Sequence, residues 1–175
     1  MVERGTALSP GWWSSLGRVS ALFVVGMSIH QTAFLGTTAT NASFLINTAT
    51  VMTPLAAWLL LRERPAAKVA LAGGMTLIGA LLLSGGLTGS VRPGDYVAIL
   101  SAVCYATWMV ELGRHVKAYG RPITTSVAQF LAAAFILVPL GLSYGRLSLA
   151  SAWQAAPELS VLGVFSTAAA FGLQT

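Results

Sequence analysis

The sequence predicts an all-α, polytopic transmembrane helix bundle of about six spans, and three observations carry that prediction. Of 175 residues, 55% are apolar and only 9% are charged, whereas a soluble globular domain carries roughly 25% charged residues. The few charges cluster between long apolar runs, as they must if those runs cross hydrocarbon. The mean hydropathy of the chain is high, at +0.75.

Taken in order, the expected spans are 19–35, 41–61, 66–83, 96–112, 124–142 and 159–175. Pro65, Pro93, Pro122 and Pro157 each stand just before a span, where a missing N–H costs a helix nothing. The second span is the most informative. It opens with small hydroxyl residues and Asn41, runs without charge to Leu61, and ends in Arg62-Glu63-Arg64. Ser43, Asn47, Thr50 and Pro54 recur at helical spacing and share one face. A lipid-facing helix gains nothing from such a stripe, so this face is expected to meet protein or water. Pro54 also frees the backbone carbonyl of Thr50 on that same face.

Orientation follows from the Lys and Arg residues of the connections. Arg4, Arg18, Arg62, Arg64, Lys68, Arg114, Lys117 and Arg121 fall on one side of six alternating spans, and only Arg92 and Arg146 on the other. The N-terminus is therefore expected in the cytoplasm, in a multi-pass protein of the cytoplasmic membrane. The net charge of +5 reads as this topology signal, and without a basic face carrying interleaved aromatics no nucleic-acid partner is expected. Rows of small residues four apart let helix backbones approach closely in lipid. Ala98, Ala102 and Ala106 form one such row, Ala72, Thr76, Ala80 and Ser84 another, and Ser160, Val164, Ala168 and Gly172 nearly a third.

Candidate chemistry lies in the few polar groups inside the spans. His30 and Gln31 sit near the end of the first span, where they line a pathway or meet water at the interface. Ser101, Tyr105 and Trp108 share a face of the fourth span and form either a cavity wall or ordinary packing. Thr125 and Gln129 form a polar pair on the fifth span. With Asn47 and Thr50, these residues compose an uncharged, hydrogen-bonding substrate pathway. Glu111 stands one turn before Arg114, which favours an interfacial ion pair over a proton relay.

An enzyme is not expected. Asp95 is the only aspartate, which removes a two-aspartate protease, and there is no H-E-x-x-H metal motif. The single cysteine, Cys104, supports neither a disulfide framework nor a metal cluster. No cofactor and no metal site are therefore expected, and no filter motif suggests a channel.

The segment 37–86 resembles the end of a repeat in EamA-type members of the drug/metabolite transporter superfamily. The resemblance is carried by T-x-x-x-N-A-S-F-L from Thr37, by Pro54, by L-L-x-R-E-R-P ending at Pro65, and by A-G-G-M-x-L-I-G-A-L-L-L from Ala72. Gly94-Asp95 with A-x-L-S-A-V-C-Y-A-T from Ala98 is similar to the opening of the second repeat, and L-G-V-F-S-T-A-A-A-F from Leu162 to a later helix of it.

That resemblance implies a 5+5 inverted-repeat, ten-helix carrier that exports or exchanges small metabolites or drug-like solutes by alternating access. Residues 1–90 would hold the last three helices of the first repeat and 91–175 the first three of the second. The first two and last two helices are then expected to be missing, so the chain reads as a fragment. A second copy or a complementing polypeptide would be its partner, besides the small-molecule substrate and the lipid bilayer. The alternative is a truncated, non-transporting membrane protein or helper subunit.

Overall fold

The structure is a computed structural model that describes residues 10–62, 66–83, 91–143, 153–154 and 156–161. Seven helices occupy them: α1 (Pro10–Ala33), α2 (Ala39–Asn47), α3 (Ala49–Leu61), α4 (Ala67–Leu83), α5 (Pro93–Tyr119), α6 (Pro122–Ser143) and the short α7 (Ala156–Val161). No strand occurs among the described residues. The fold is thus an all-α membrane bundle. Three of its stretches, Ala39–Leu61, Pro93–Tyr119 and Pro122–Ser143, are long and apolar enough to cross a membrane. The stretch 159–175 lies almost entirely outside the described residues.

An antiparallel pair, α1 against α5, forms the spine. On α1 the buried positions Trp12, Ser15, Leu16, Val19, Ser20, Phe23 and Val24 recur at three and four residues, a continuous helical stripe. Opposite it, α5 buries the small residues Ala98, Ser101, Ala102 and Ala106, so the two backbones close tightly. Hydrocarbon competes with water for apolar groups, so in lipid this pairing rests on packing and hydrogen bonds and not on a hydrophobic force. The register is even along the whole length. His115 lies beside Trp12 and Ser15, Trp108 beside Phe23, Tyr105 beside Gly26, and Gly94 beside Gly36. On one flank α6 packs against α1, while α2 and α3 pack against α5 and α4 lies against α3.

Two local features differ from the sequence expectation. First, α1 begins at Pro10 and not near residue 19. Trp12 and Leu16 extend the stripe that packs on α5, although Ser14, Gly17 and Arg18 beside them mask it in a hydropathy profile. Second, the 41–61 span, expected to be continuous, is interrupted at Thr48, while Pro54 lies inside α3. The Thr48 hydroxyl donates to the Leu45 carbonyl at 2.6 Å, and its own N–H reaches the same oxygen. That three-residue tightening ends α2 one residue before α3 begins. In α4 the close contact is made by Gly73, where a Cβ would stand 3.1 Å from Val51; Ala72 and Thr76 are exposed.

Helix ends follow the local chemistry. Pro93 opens α5, and the carboxylate of Asp95 accepts the Arg92 N–H at 2.8 Å, the return half of a capping box. Gly120 closes α5 with φ 64°, the left-handed conformation that glycine adopts without penalty. Glu111 and Arg114 form the expected ion pair at 2.8 Å.

Candidate functional site

At mid-span, α5 and α6 are joined through their side chains. The Trp108 indole N–H donates to Gln129 Oε1 at 2.6 Å, and Gln129 Nε2 donates to the Thr125 carbonyl at 3.2 Å. Thr125 turns its hydroxyl back to the Arg121 carbonyl. Both Thr125 and Gln129 are buried, so the polar pair of the fifth span is used inward. Their helices follow one another in the chain, yet among the described residues the backbones of α5 and α6 hardly approach. The side-chain bond bridges that gap.

Beside the bond lies a crevice of about 20 Å³ lined by Phe23, Trp108, Leu112, Ser126, Gln129 and Phe130, room for a single water. Its walls are aromatic. The Phe23 ring stands 5.1 Å from Trp108 and meets Phe130 edge-on at 5.5 Å, both favourable ring geometries. None of the six lining residues is charged.

Tyr105 extends this aromatic group toward the far end of α1, its ring edge-on to Trp108 at 5.9 Å and to His30 at 6.1 Å. The His30 imidazole also stacks near Phe34, and its Nε2 has no hydrogen-bond partner. Gly26 makes this approach feasible, since a Cβ there would sit 3.5 Å from Cys104 and 3.9 Å from the Tyr105 ring. Ser101 is fully buried but spends its hydroxyl on the Ala98 carbonyl at 2.7 Å. His30, Tyr105, Trp108 and Gln129 are thereby brought into one connected row.

The remaining candidates stand apart from that row. Asn47 and Thr50 are exposed and Pro54 is half-buried; the Asn47 amide donates to the Ser43 carbonyl of its own helix at 2.8 Å. The stripe on α2 and α3 thus faces away from the packed interior. Gln31 is likewise exposed.

Both ends of the α1–α5 spine are pinned by polar contacts. At one end the Gly94 N–H donates to the Gly36 carbonyl at 3.2 Å. Thr37 donates its hydroxyl to the Asp95 carboxylate, which Asn41 also approaches. At the other end the fully buried His115 shares a 2.9 Å hydrogen bond with Ser15 through Nδ1. Sequence reasoning missed these pins and the Phe23, Ser126 and Phe130 walls. The Thr125–Gln129 spacing was the one available signal of an inward-facing fifth span. Among the described residues no group of three His, Cys, Asp or Glu side chains is placed to hold a metal ion.

Residues 2–85, which include all of α1 to α4, match the model of the EamA-like transporter family. No curated protein and no solved structure matches the chain. The family match falls on a multi-pass apolar bundle whose span interior holds a bonded polar pair beside an uncharged crevice. Over that segment, just under half of its length, the chain is similar to the EamA-like transporter family, on a bundle of membrane-transporter-like character.

Proposed function

We propose that the chain belongs to a secondary carrier of the cytoplasmic membrane that exports or exchanges small metabolites or drug-like solutes by alternating access, without enzymatic chemistry. The observation that carries this reading is the match of residues 2–85 to a transporter family. The uncharged polar row from His30 through Tyr105 and Trp108 to Gln129 supports it, because polar groups are kept inside a membrane span at a cost that function offsets. The Lys and Arg distribution favours a cytoplasmic N-terminus. Residues 1–90 and 91–175 are read as parts of two inverted repeats. The exposed polar stripe of Ser43, Asn47 and Thr50 is the face on which a second copy or a complementing polypeptide closes the cavity, with Gln31 and Pro54 at its margins.

Counterflow tests this. Purified full-length chain in proteoliposomes preloaded with an unlabelled mixture of small solutes is expected to drive transient accumulation of at least one labelled counterpart above protein-free vesicles. Zero counterflow by protein of undiminished helix content, across a range of protein-to-lipid ratios, supports the non-transporting scaffold instead.

A further inference from the structure

The Trp108–Gln129 bond does more than tie two helices. Indole N–H is a donor only, and Gln129 has already committed its amide nitrogen to the Thr125 carbonyl. The pair is therefore self-satisfied in the closed form, with one donor and one acceptor facing each other across 2.6 Å. Anything that parts them must return an acceptor to Trp108 Nε1 and a donor to Gln129 Oε1, or leave two buried polar groups unpaired. A single planar amide group offers both. The flanking Phe23 and Phe130 rings, edge-on to each other, offer apolar surface against which a flat ring can pack. A crevice without a charged side chain rejects an ionised solute, whose charge would be buried without a partner.

Room for such a solute comes from α6. The α1–α5 spine is pinned at the Gly36–Gly94 contact and again at His115–Ser15, whereas the α5 and α6 backbones stay apart and meet through the left-handed Gly120. Separation of α6 from α5, with α6 pivoting on its packing against Phe23 and Val24 of α1, breaks the Trp108–Gln129 bond and enlarges the crevice from its one-water volume. We infer that the Trp108–Gln129 bond is the closed latch of a binding site for an uncharged, planar solute carrying both a hydrogen-bond acceptor and a donor, of the aromatic carboxamide class. This inference rests on the carrier reading for the delivery and release of the solute.

Benzamide is the probe, with benzoate as its charged analogue and toluene as its apolar one. Fluorine NMR of full-length protein carrying fluorotryptophan, with the Trp108 resonance identified by its loss in Trp108→Phe, reads the site without requiring transport. Benzamide is expected to shift that resonance saturably, and benzoate and toluene to bind at least about tenfold more weakly, the weight of one lost hydrogen bond. A second readout leaves Trp108 untouched: in Cys104→Ala/Ser126→Cys protein, benzamide is expected to protect the new thiol from maleimide and benzoate is not. An unmoved Trp108 resonance or an unprotected Cys at 126 under saturating benzamide overturns the inference, even if other solutes show counterflow. A benzamide-specific shift without counterflow upholds the site and defeats the carrier reading instead.

Discussion

Replacing Gly94 with alanine is expected to destabilise the bundle by about 3 kcal/mol or more, at the upper end of what overpacking costs. The added Cβ would stand 2.4 Å from the Gly36 carbonyl carbon, 2.5 Å from the Thr37 nitrogen and 2.6 Å from the Ala33 oxygen. All three are backbone atoms, so no side chain can swing away to make room. Relief requires the turn after α1 to lift off α5, and that motion takes the Gly94–Gly36 and Thr37–Asp95 hydrogen bonds with it. Gly36→Ala should cost less, because its nearest contact, Gly94 N, lies at 2.9 Å. Gly79→Ala is the control: a Cβ there meets nothing within 4 Å, so the better helix propensity of alanine should leave stability unchanged or raised by up to about 1 kcal/mol. Denaturant titration of purified protein in mild detergent, followed by helical circular dichroism, ranks the three. Equal midpoints for Gly94→Ala and Gly79→Ala would remove the tight turn-to-helix contact from the account.

Ala102→Leu is expected to be nearly as damaging, at about 3 kcal/mol. Ala102 is fully buried, in a row with Ala98 and Ala106 that is equally enclosed. Three further carbons at that position must push a neighbouring helix outward or force off-rotamer side chains, and close-packed helix faces yield to neither cheaply. Val103→Leu, one residue along, adds a single carbon where the side chain is already 45% exposed and should change stability by less than about 0.5 kcal/mol. The same titration decides it. Similar losses for both variants would mean that α5 does not present its alanine row to a partner helix.

How much of this was legible beforehand depends on the range of the interaction. Apolar length and edge prolines are local, so the spans around α3, α5 and α6 could be read from hydropathy alone. The alanine row on α5 announced a tight interface because small residues at four-residue spacing have few other uses in lipid. In the row through Ala72 and Thr76 these two residues are exposed, and Gly73 beside it makes the contact with Val51. The span holding Pro54 was legible as apolar and uncharged, but its interruption at Thr48, whose hydroxyl rebinds Leu45, was not. Pairings between distant segments left no trace in the sequence. Trp108 and Gln129 could each be named as polar or amphipathic groups inside a span, yet nothing in their own neighbourhoods marks them as partners. The same holds for His115 with Ser15, one hundred positions apart, and for the two glycines that meet at the end of the spine.

The geometry divides the molecule into an α1–α5 spine and the helices packed on its flanks. Contacts at both ends and along the alanine row hold α1 to α5, while α6 packs on α1 and is joined to α5 through the Trp108–Gln129 bond, and α2 and α3 pack on α5 with a polar stripe turned outward. The proposed carrier mechanism requires that the polar row be exposed first to one side of the membrane and then to the other. Cysteine accessibility measures that directly. Single cysteines at positions 47, 50, 105 and 108, each introduced in the Cys104→Ala protein, are expected to react with a membrane-impermeant maleimide in sealed vesicles of either orientation, with positions 105 and 108 reached from both sides. Protection of all four positions from both sides would contradict alternating access.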